Sequence, residues 1–292
     1  MRLSKPIYYT HMRPGIWRAL IVLLLVPGPV WAWGASGHRA IMERAIDALP
    51  APLRTDLERH RAELVLRVND PDLWRIVGWD EGAHHFLNLD ADIYGPYPFT
   101  ALPRDRSAAA KKFGEPTLKR YGLLPWRLEE IFGRLRESFR RIRSQPFAVG
   151  DVVLFAAVAA HYVQDAHQPL HATINHDGHL TNQEGLHARF ESALYDRFAP
   201  RLTIRPAAPT PMTTPRDTMF DVLLESNRLV EPVLAADLAA ARGRTDYNDR
   251  YYDAFFAQAR PILERRVSES VTATASLILG AWDQAGRPRL GQ

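Results

Sequence analysis

The chain has 292 residues, with 37 Lys and Arg, 33 Asp and Glu, 11 His and no Cys. Without cysteine there are no disulfides and no thiolate ligands, so stability rests on an apolar core and any metal site must use imidazole and carboxylate. Four basic residues (Arg2, Lys5, Arg13, Arg18) and no acidic one fall in the first 32 positions; the remainder is charge-balanced and carries no footprint of a protein that coats nucleic acid or anionic membrane.

Residues 1–32 read as a signal peptide. The basic n-region is followed by the short apolar run Ala19 to Val26 and by Val30-Trp31-Ala32, with small residues at the cleavage positions. The apolar run is too short to span a bilayer as a mature helix. The expectation is a secreted or periplasmic protein, not stably inserted in a membrane once the leader is removed, whose mature part 33–292 forms a single all-α domain and is a monomer. Cleavage after Ala32 would make Trp33 the N-terminal residue of Trp33-Gly-Ala-Ser-Gly-His38. A free α-amine and its neighbouring carbonyl can chelate a metal, and His38 lies close enough in the chain to join them. The plainer alternative is a packed terminal aromatic and a histidine opening a helix.

Helix is expected from about His38 to Leu49 and again after Pro52, with His60 in a solvated, charged segment. Asp72 and His85 then offer a carboxylate and an imidazole; Arg75, one turn from Asp72, is available to an anionic oxygen. Asp70, Asp80 and His84 compete with them on spacing alone. The stretch from Tyr94 to Lys112, rich in Pro, Tyr and Ala, reads as a long loop.

The centre of the chain carries the chemistry. Six histidines (161, 167, 171, 176, 179, 187) lie within 27 residues. Asp151, after Gly150 and before an apolar run, reads as the N-cap of a helix that puts His161 and Asp165 one turn apart on one face. Pro169 cannot continue that helix, so the chain bends near Gln168 and brings His171 in from another direction. A second helix offers His187 and Glu191, again four apart. Taken alone, a His-x-x-x-Asp pair is ordinarily a surface ion pair; the density of the cluster is what points to a polynuclear zinc site. His167, His176 and His179 read as loop or supporting residues. Beyond it, the five prolines from Pro200 to Pro215 mark an irregular connection, and two helices (about Arg216 to Ala241 and Asn248 to Trp282) are expected to pack back on the metal-bearing ones. No strand alternation, repeat or low-complexity tract is evident.

In motif order the chain resembles the S1/P1-type zinc nucleases and their relative, zinc-dependent phospholipase C. The resemblance rests on Trp33-Gly-x-x-Gly-His38, Asp72-x-x-Arg75, His85-Phe86, His161-x-x-x-Asp165-x-His-Gln-Pro-Leu-His171 and His187-x-x-x-Glu191. It implies an all-helical fold with three zinc ions in a cleft. One would be held by Asp72, His85, His161 and Asp165, a second by His171, His187 and Glu191, and a third by Trp33, His38 and the shared Asp165. It also implies hydrolysis of phosphodiester bonds, with the metals activating water and Arg75 stabilising phosphoryl charge. The expected substrate is single-stranded nucleic acid or a 3′-nucleotide, yielding 5′-phosphates, with Phe86 stacking a base and Asn88 at a base-contacting position where the nucleases carry Asp. Glu191 departs toward the phospholipases, so phospholipid is the competing substrate. A third reading is a non-catalytic metal-binding or di-iron helical protein, since Glu81-x-x-His84 and Glu184-x-x-His187 match the spacing of carboxylate-bridged iron. Gly82 and Gly185 inside those motifs argue against it.

Overall fold

A computed structural model of the protein describes residues 34–243 and 246–291. The expected signal segment 1–32 and the expected ligand Trp33 lie outside the described residues. Helices account for 70% of the chain and no strand occurs among the described residues, so the protein is all-α.

The chain opens with α1 (Gly34–Ala48), α2 (Ala51–Glu58), α3 (Arg61–Arg67) and α4 (Asp70–Ile76), short helices divided by Pro50, His60 and Asn69. His60 is half-buried at the junction before α3, less exposed than its charged surroundings imply. The predicted loop from Tyr94 to Lys112 is in part helical. Asp105 caps α5 (Arg106–Phe113) by accepting from the Ala108 N–H at 2.8 Å, a cap the Pro- and Ala-rich composition disguised. Gly114, at positive φ, ends α5, and α6 (Glu115–Tyr121) follows it.

Helix α7 (Leu124–Arg141) begins on Pro125 and buries Trp126, Leu128, Ile131, Phe132, Leu135 and Phe139 at three- and four-residue spacing. That stripe packs against α8 (Val149–Ala166) and α11. Asp151 does not cap α8: the helix starts two residues earlier, and Asp151 sits in its first turn, accepting from Arg141 at 2.5 Å. Its carboxylate still suits the helix N-terminus. Helix α8 is apolar all round, as expected of a helix enclosed by α3, α7 and α13. With its lead-in turn, Pro146–Ala166, it is long and apolar enough to cross a membrane by length and composition, but residues Ala156 to Ala166 are buried under these neighbours.

After a 3-10 turn at Pro169–Ala172 come α9 (Leu186–Ala188) and α10 (Tyr195–Phe198), joined by a π turn at Arg189–Leu194. The single helix expected from Arg216 to Ala241 is broken at Leu229 into α11 (Pro215–Arg228) and α12 (Val230–Ala241). Helix α13 (Asp249–Gln284) then runs across α1, α8 and α12.

The proline-rich connection is irregular but tethered. The N–H groups of Thr203, Arg205, Ala207 and Thr210 donate to the side chains of Glu264, Ser268, Thr272 and Ser276, one stripe along α13. Alternate residues of an extended chain advance about 6.6 Å and one helical i, i+4 step about 6 Å, so the two ladders nearly match. The stripe continues to Gly280, where a Cβ would lie 2.1 Å from the Met212 carbonyl oxygen. The backbone crosses α13 there, and only glycine leaves room.

Candidate metal centre

Short turns and one buried helix bring the chemistry together. Helix α8 carries His161, Gln164 and Asp165, all fully buried, and α1 lays His38 over them with its ring stacked on that of His161 at 4.2 Å. From α4 comes Asp72, also buried. His85 follows the Gly82–His84 turn, and its strand-like continuation is held on both sides: Leu87 and Leu89 donate to the carbonyls of His171 and Ala172 at 3.0 and 3.3 Å, and Asn88 to that of Tyr121 at 2.7 Å. Gly122 makes this clamp possible, since a Cβ there would sit 2.1 Å from the Phe86 carbonyl oxygen.

Three sets of ligand atoms result, each within 4.8 Å: His38, His161 and Asp165; Asp72, His85 and His161; His171, His187 and Glu191. In the second set, His85 Nδ1 lies 3.0 Å from Asp165 Oδ2, 3.1 Å from His161 Nε2 and 3.9 Å from Asp72 Oδ1, while His161 Nε2 and Asp165 Oδ2 are 3.3 Å apart. In the third, His187 Nε2 is 2.9 Å from Glu191 Oε2 and 3.2 Å from His171 Nε2, with His171 Nε2 to Glu191 Oε2 at 3.8 Å. The first has one close pair, His38 Nε2 to Asp165 Oδ1 at 3.5 Å.

These separations are ones a metal ion could span. A tetrahedral zinc with ligands at about 2.0–2.1 Å holds them about 3.3 Å apart, close to the edges observed. The tautomers agree. Nδ1–H of His38 donates to Gln164 Oε1 (2.5 Å), of His161 to the Val68 carbonyl (2.8 Å), of His171 to that of His85 (2.5 Å) and of His187 to that of His176 (3.0 Å). Each such bond leaves the Nε2 lone pair facing the centre, the arrangement that orients metal-binding imidazoles. His171 and His187 therefore point two lone pairs at each other, a contact that needs a cation or an added proton between them. Buried Oδ2 of Asp72, Oδ1 of Asp165 and Oε1 of Glu191 have no hydrogen-bond partner among the described residues. Buried carboxylate oxygens are normally satisfied, so their orphaning points to an ion. The cluster's donor set, imidazole and carboxylate only, is compatible with zinc.

Without cations, protons must balance the cluster. Burial lowers His38 to about 3, with the His161 charge pushing the same way, and burial also lowers His85. Burial acts against charge on His161 as well, but Asp165 and Asp72 overcome it and hold that imidazole charged up to about 9. His171 is raised in the same manner by Asp165 and Glu191 against the effect of burial. Asp165 and Glu191 fall below the usual carboxylate range despite burial, the first through His161 and His171, the second through His187. For Asp72 burial wins and its carboxyl is raised.

A cleft of about 360 Å³ opens over the second and third sets, with Asp72, His85, His171 and His187 in its floor and Arg75, Phe86, Asn88 and Arg120 in its walls. Arg75 Nη2 lies 3.3 Å from Asp72 Oδ1. A larger concavity of 460 Å³ between the 205–214 segment and α13 contains no such cluster.

Every sequence-predicted site residue among the described ones reaches this region. The competitors do not: Asp70 pairs with Arg67, Asp80 with Lys119 on the surface, and His84 with Glu81. His187 and Glu191 converge across the α9–π junction instead of along one regular helix; π turns recur at functional sites. His167 is buried away from the cluster, donating to the Val163 carbonyl at 2.7 Å, and burial next to Arg266 lowers it to about 3.

Several supporting residues escaped sequence reasoning. Gln168 donates to Glu191 Oε2 at 2.8 Å and accepts from the Leu170 N–H at 2.5 Å, fixing the bend before His171. Asp177 accepts from the N–H groups of Gly185 and His187 at 3.0 and 3.2 Å and so sets the start of α9. Asp90 accepts from Thr173 and Ile174. Gln164 and Gln168 stand inside the His161–His171 string, where a ligand-orienting amide was the available signal. Neither the protein-family models nor the curated proteins compared with this chain give a match.

Proposed function

We propose that this chain is a zinc-dependent phosphodiesterase of the S1/P1 nuclease type, exported and processed to begin at Trp33, that hydrolyses single-stranded nucleic acid and 3′-nucleotides. The observation that carries the reading is the meeting, under one cleft, of ligand atoms at tetrahedral-zinc separations with an arginine and a half-buried aromatic in the wall. Asp72, His85, His161 and Asp165 would hold one ion and His171, His187 and Glu191 a second. His38, Asp165 and the freed amine and carbonyl of Trp33 would hold the third. Helix α1 supports that last assignment, because Trp33 precedes its first residue by one position and His38 lies one turn in.

Bound zinc supplies hydroxide near neutral pH and polarises the phosphoryl oxygens. The chain's own part is positional. Asp72 holds Arg75 beside the reacting phosphoryl group, where its guanidinium offsets charge developing on the oxygens. Phe86 gives a base one flat face, and the Asn88 amide, with donors and an acceptor, meets the base edge. With metals placed to provide and neutralise charge, no side chain in the cleft needs to act as general base.

Phospholipase C activity is the second reading, favoured by Glu191 where the nucleases carry Asp. The test is metal analysis of the processed protein with paired assays on a single-stranded oligonucleotide and on phosphatidylcholine. About three zincs with oligonucleotide cleavage is the expected result. Activity on the lipid alone would reverse the substrate, and two irons would overturn the reading.

A further inference from the structure

The segment that carries the chain from α4 to His85 ends in an exposed aromatic pair. Trp74 and Trp79 stack with ring centroids 5.6 Å apart and 26° between their planes, and the Trp79 N–H donates to the Trp74 carbonyl at 3.0 Å. Trp74 packs against the core, whereas Trp79 is 62% exposed. An indole left in water forgoes the burial that ordinarily stabilises it, while its inner neighbour keeps the ring oriented. Both ends of this segment line the cleft: Arg75 before Trp79 and Gly82 after it. Trp79 and Gly82 are three Cα–Cα steps apart, so the Trp79 Cα lies no more than about 11 Å from that of a cleft-lining residue.

Phe86, Arg75 and Arg120 line the cleft, and Trp79 stands outside it on the segment that joins two of its lining residues, Arg75 and Gly82. Alternating flat rings and positive charge is how sequence-tolerant sites hold a single strand, the rings taking bases and the cations phosphates. Leu73, Ile76 and Val77 are exposed nearby and would equally suit a lipid surface. Asp80 decides between them. It adjoins Trp79, is exposed, and is paired with Lys119 at 2.6 Å. Pressing that ion pair into acyl chains carries a desolvation penalty, whereas beside a stacked base it stays in water.

We infer that Trp79 is a second base-stacking platform, holding a nucleobase of the strand beyond the nucleotide at Phe86. This rests on the phosphodiesterase reading, and the experiment separates the two. Zinc-loaded, processed wild-type protein, Trp79→Ala and Trp79→Tyr are compared on an oligothymidylate of about ten residues and on a 3′-mononucleotide, which is too short to reach Trp79. Trp79→Ala should raise KM for the oligonucleotide about tenfold, the weight of one stacked base, with kcat and mononucleotide kinetics unchanged. Trp79→Tyr should restore most of the loss. Mononucleotide kinetics also report that the variants fold. Equal oligonucleotide KM for wild type and Trp79→Ala overturns the platform and leaves the phosphodiesterase intact. The same holds if Trp79→Ala instead loses sedimentation with phosphatidylcholine vesicles. A wild-type protein that cleaves neither substrate removes both.

Discussion

Asp165 is the side chain on which the metal centre turns, and Asp165→Asn is the perturbation with the sharpest outcome. One oxygen faces His85 and His161 at 3.0 and 3.3 Å and the other faces His38 at 3.5 Å, so a single carboxylate serves two of the three ligand sets. An amide offers one neutral oxygen and an N–H₂ that repels cations, so both sets lose an anionic ligand. At free zinc a hundredfold above the dissociation constant, each occupied site adds about 2.7 kcal/mol to folding. Losing two removes about 5 kcal/mol. At about 2–4 °C per kcal/mol for a chain of this size, the zinc-dependent rise in Tm should shrink by about 10–20 °C. The readout is the difference between zinc-loaded and chelated samples, because in the chelated protein the substitution also removes the partner that keeps His161 charged. Calorimetry of wild type, Asp165→Asn and the remote Asp56→Asn supplies the comparison, with metal analysis alongside. If Asp165→Asn keeps the full zinc count and the full rise in Tm, the shared-carboxylate reasoning is wrong.

Phe86→Ala should lower kcat/KM on nucleotides by about tenfold while zinc content holds, since the proposal gives the ring a base to stack on and no metal to hold; loss of zinc in that variant would contradict the assignment. Gly280→Ala should cost about 1–3 kcal/mol in urea unfolding, because the new methyl meets backbone at 2.1 Å and not a flexible side chain, with zinc content unchanged. Asp56, on α2, is buried and accepts from Arg289 Nε and Nη2, both at 2.8 Å, and from the Leu290 N–H at 3.0 Å. The Arg289 bonds hold its carboxyl below the usual range. A depressed folded value stabilises above the unfolded value of about 3.9 and is lost as pH falls through the folded one. Wild type should therefore exceed Asp56→Asn in stability at pH 6, and the gap should close on acidification below about pH 4. A gap that stays constant from pH 6 to pH 3 would show that the carboxylate does not titrate as described.

The helical class and the convergence of ligand residues were legible because both are local. His161 with Asp165 needs only one turn of helix, His187 with Glu191 a four-residue spacing that the α9–π junction keeps close, and Pro169 announces the bend between the two pairs. What spacing did not reveal is held by contacts across the chain. Asp151 has the composition of an N-cap, yet α8 starts two residues earlier, on the 3-10 turn at Pro146–Ala148. The break at Leu229 is marked by Pro232, which has no N–H to give the Arg228 carbonyl and so belongs in the first turn of a new helix, a signal the expected single helix passed over. Arg266 crosses from α13 to bond the His167 carbonyl at 2.9 Å and Ser226 Oγ at 2.7 Å, tying that break to the end of α8. The orienting roles of Gln164, Gln168 and Asp177 appear only when His38, Glu191 and α9 are folded against them, since each acts on a partner brought in by tertiary structure or a turn.

The balanced charge of residues 33–292 and the proposed anionic substrate are reconciled at the floor of the cleft. Asp72, Asp165 and Glu191 bring three negative charges to a place with little water to screen them. Left to themselves they recruit protons onto His161 and His171, which settles their charge and nothing more. Three divalent ions would overcompensate, leaving a surplus of positive charge concentrated at the one point where a phosphodiester must sit. Field strength in a buried site exceeds that of the same charge spread over a surface. A protein built this way would need no basic groove to attract its substrate, with Arg75 at the reacting phosphoryl group and Arg120 in the wall for a flanking phosphate. On the proposed reading its charge would come from the ions, which is why counting lysines and arginines along the chain gave no sign of it.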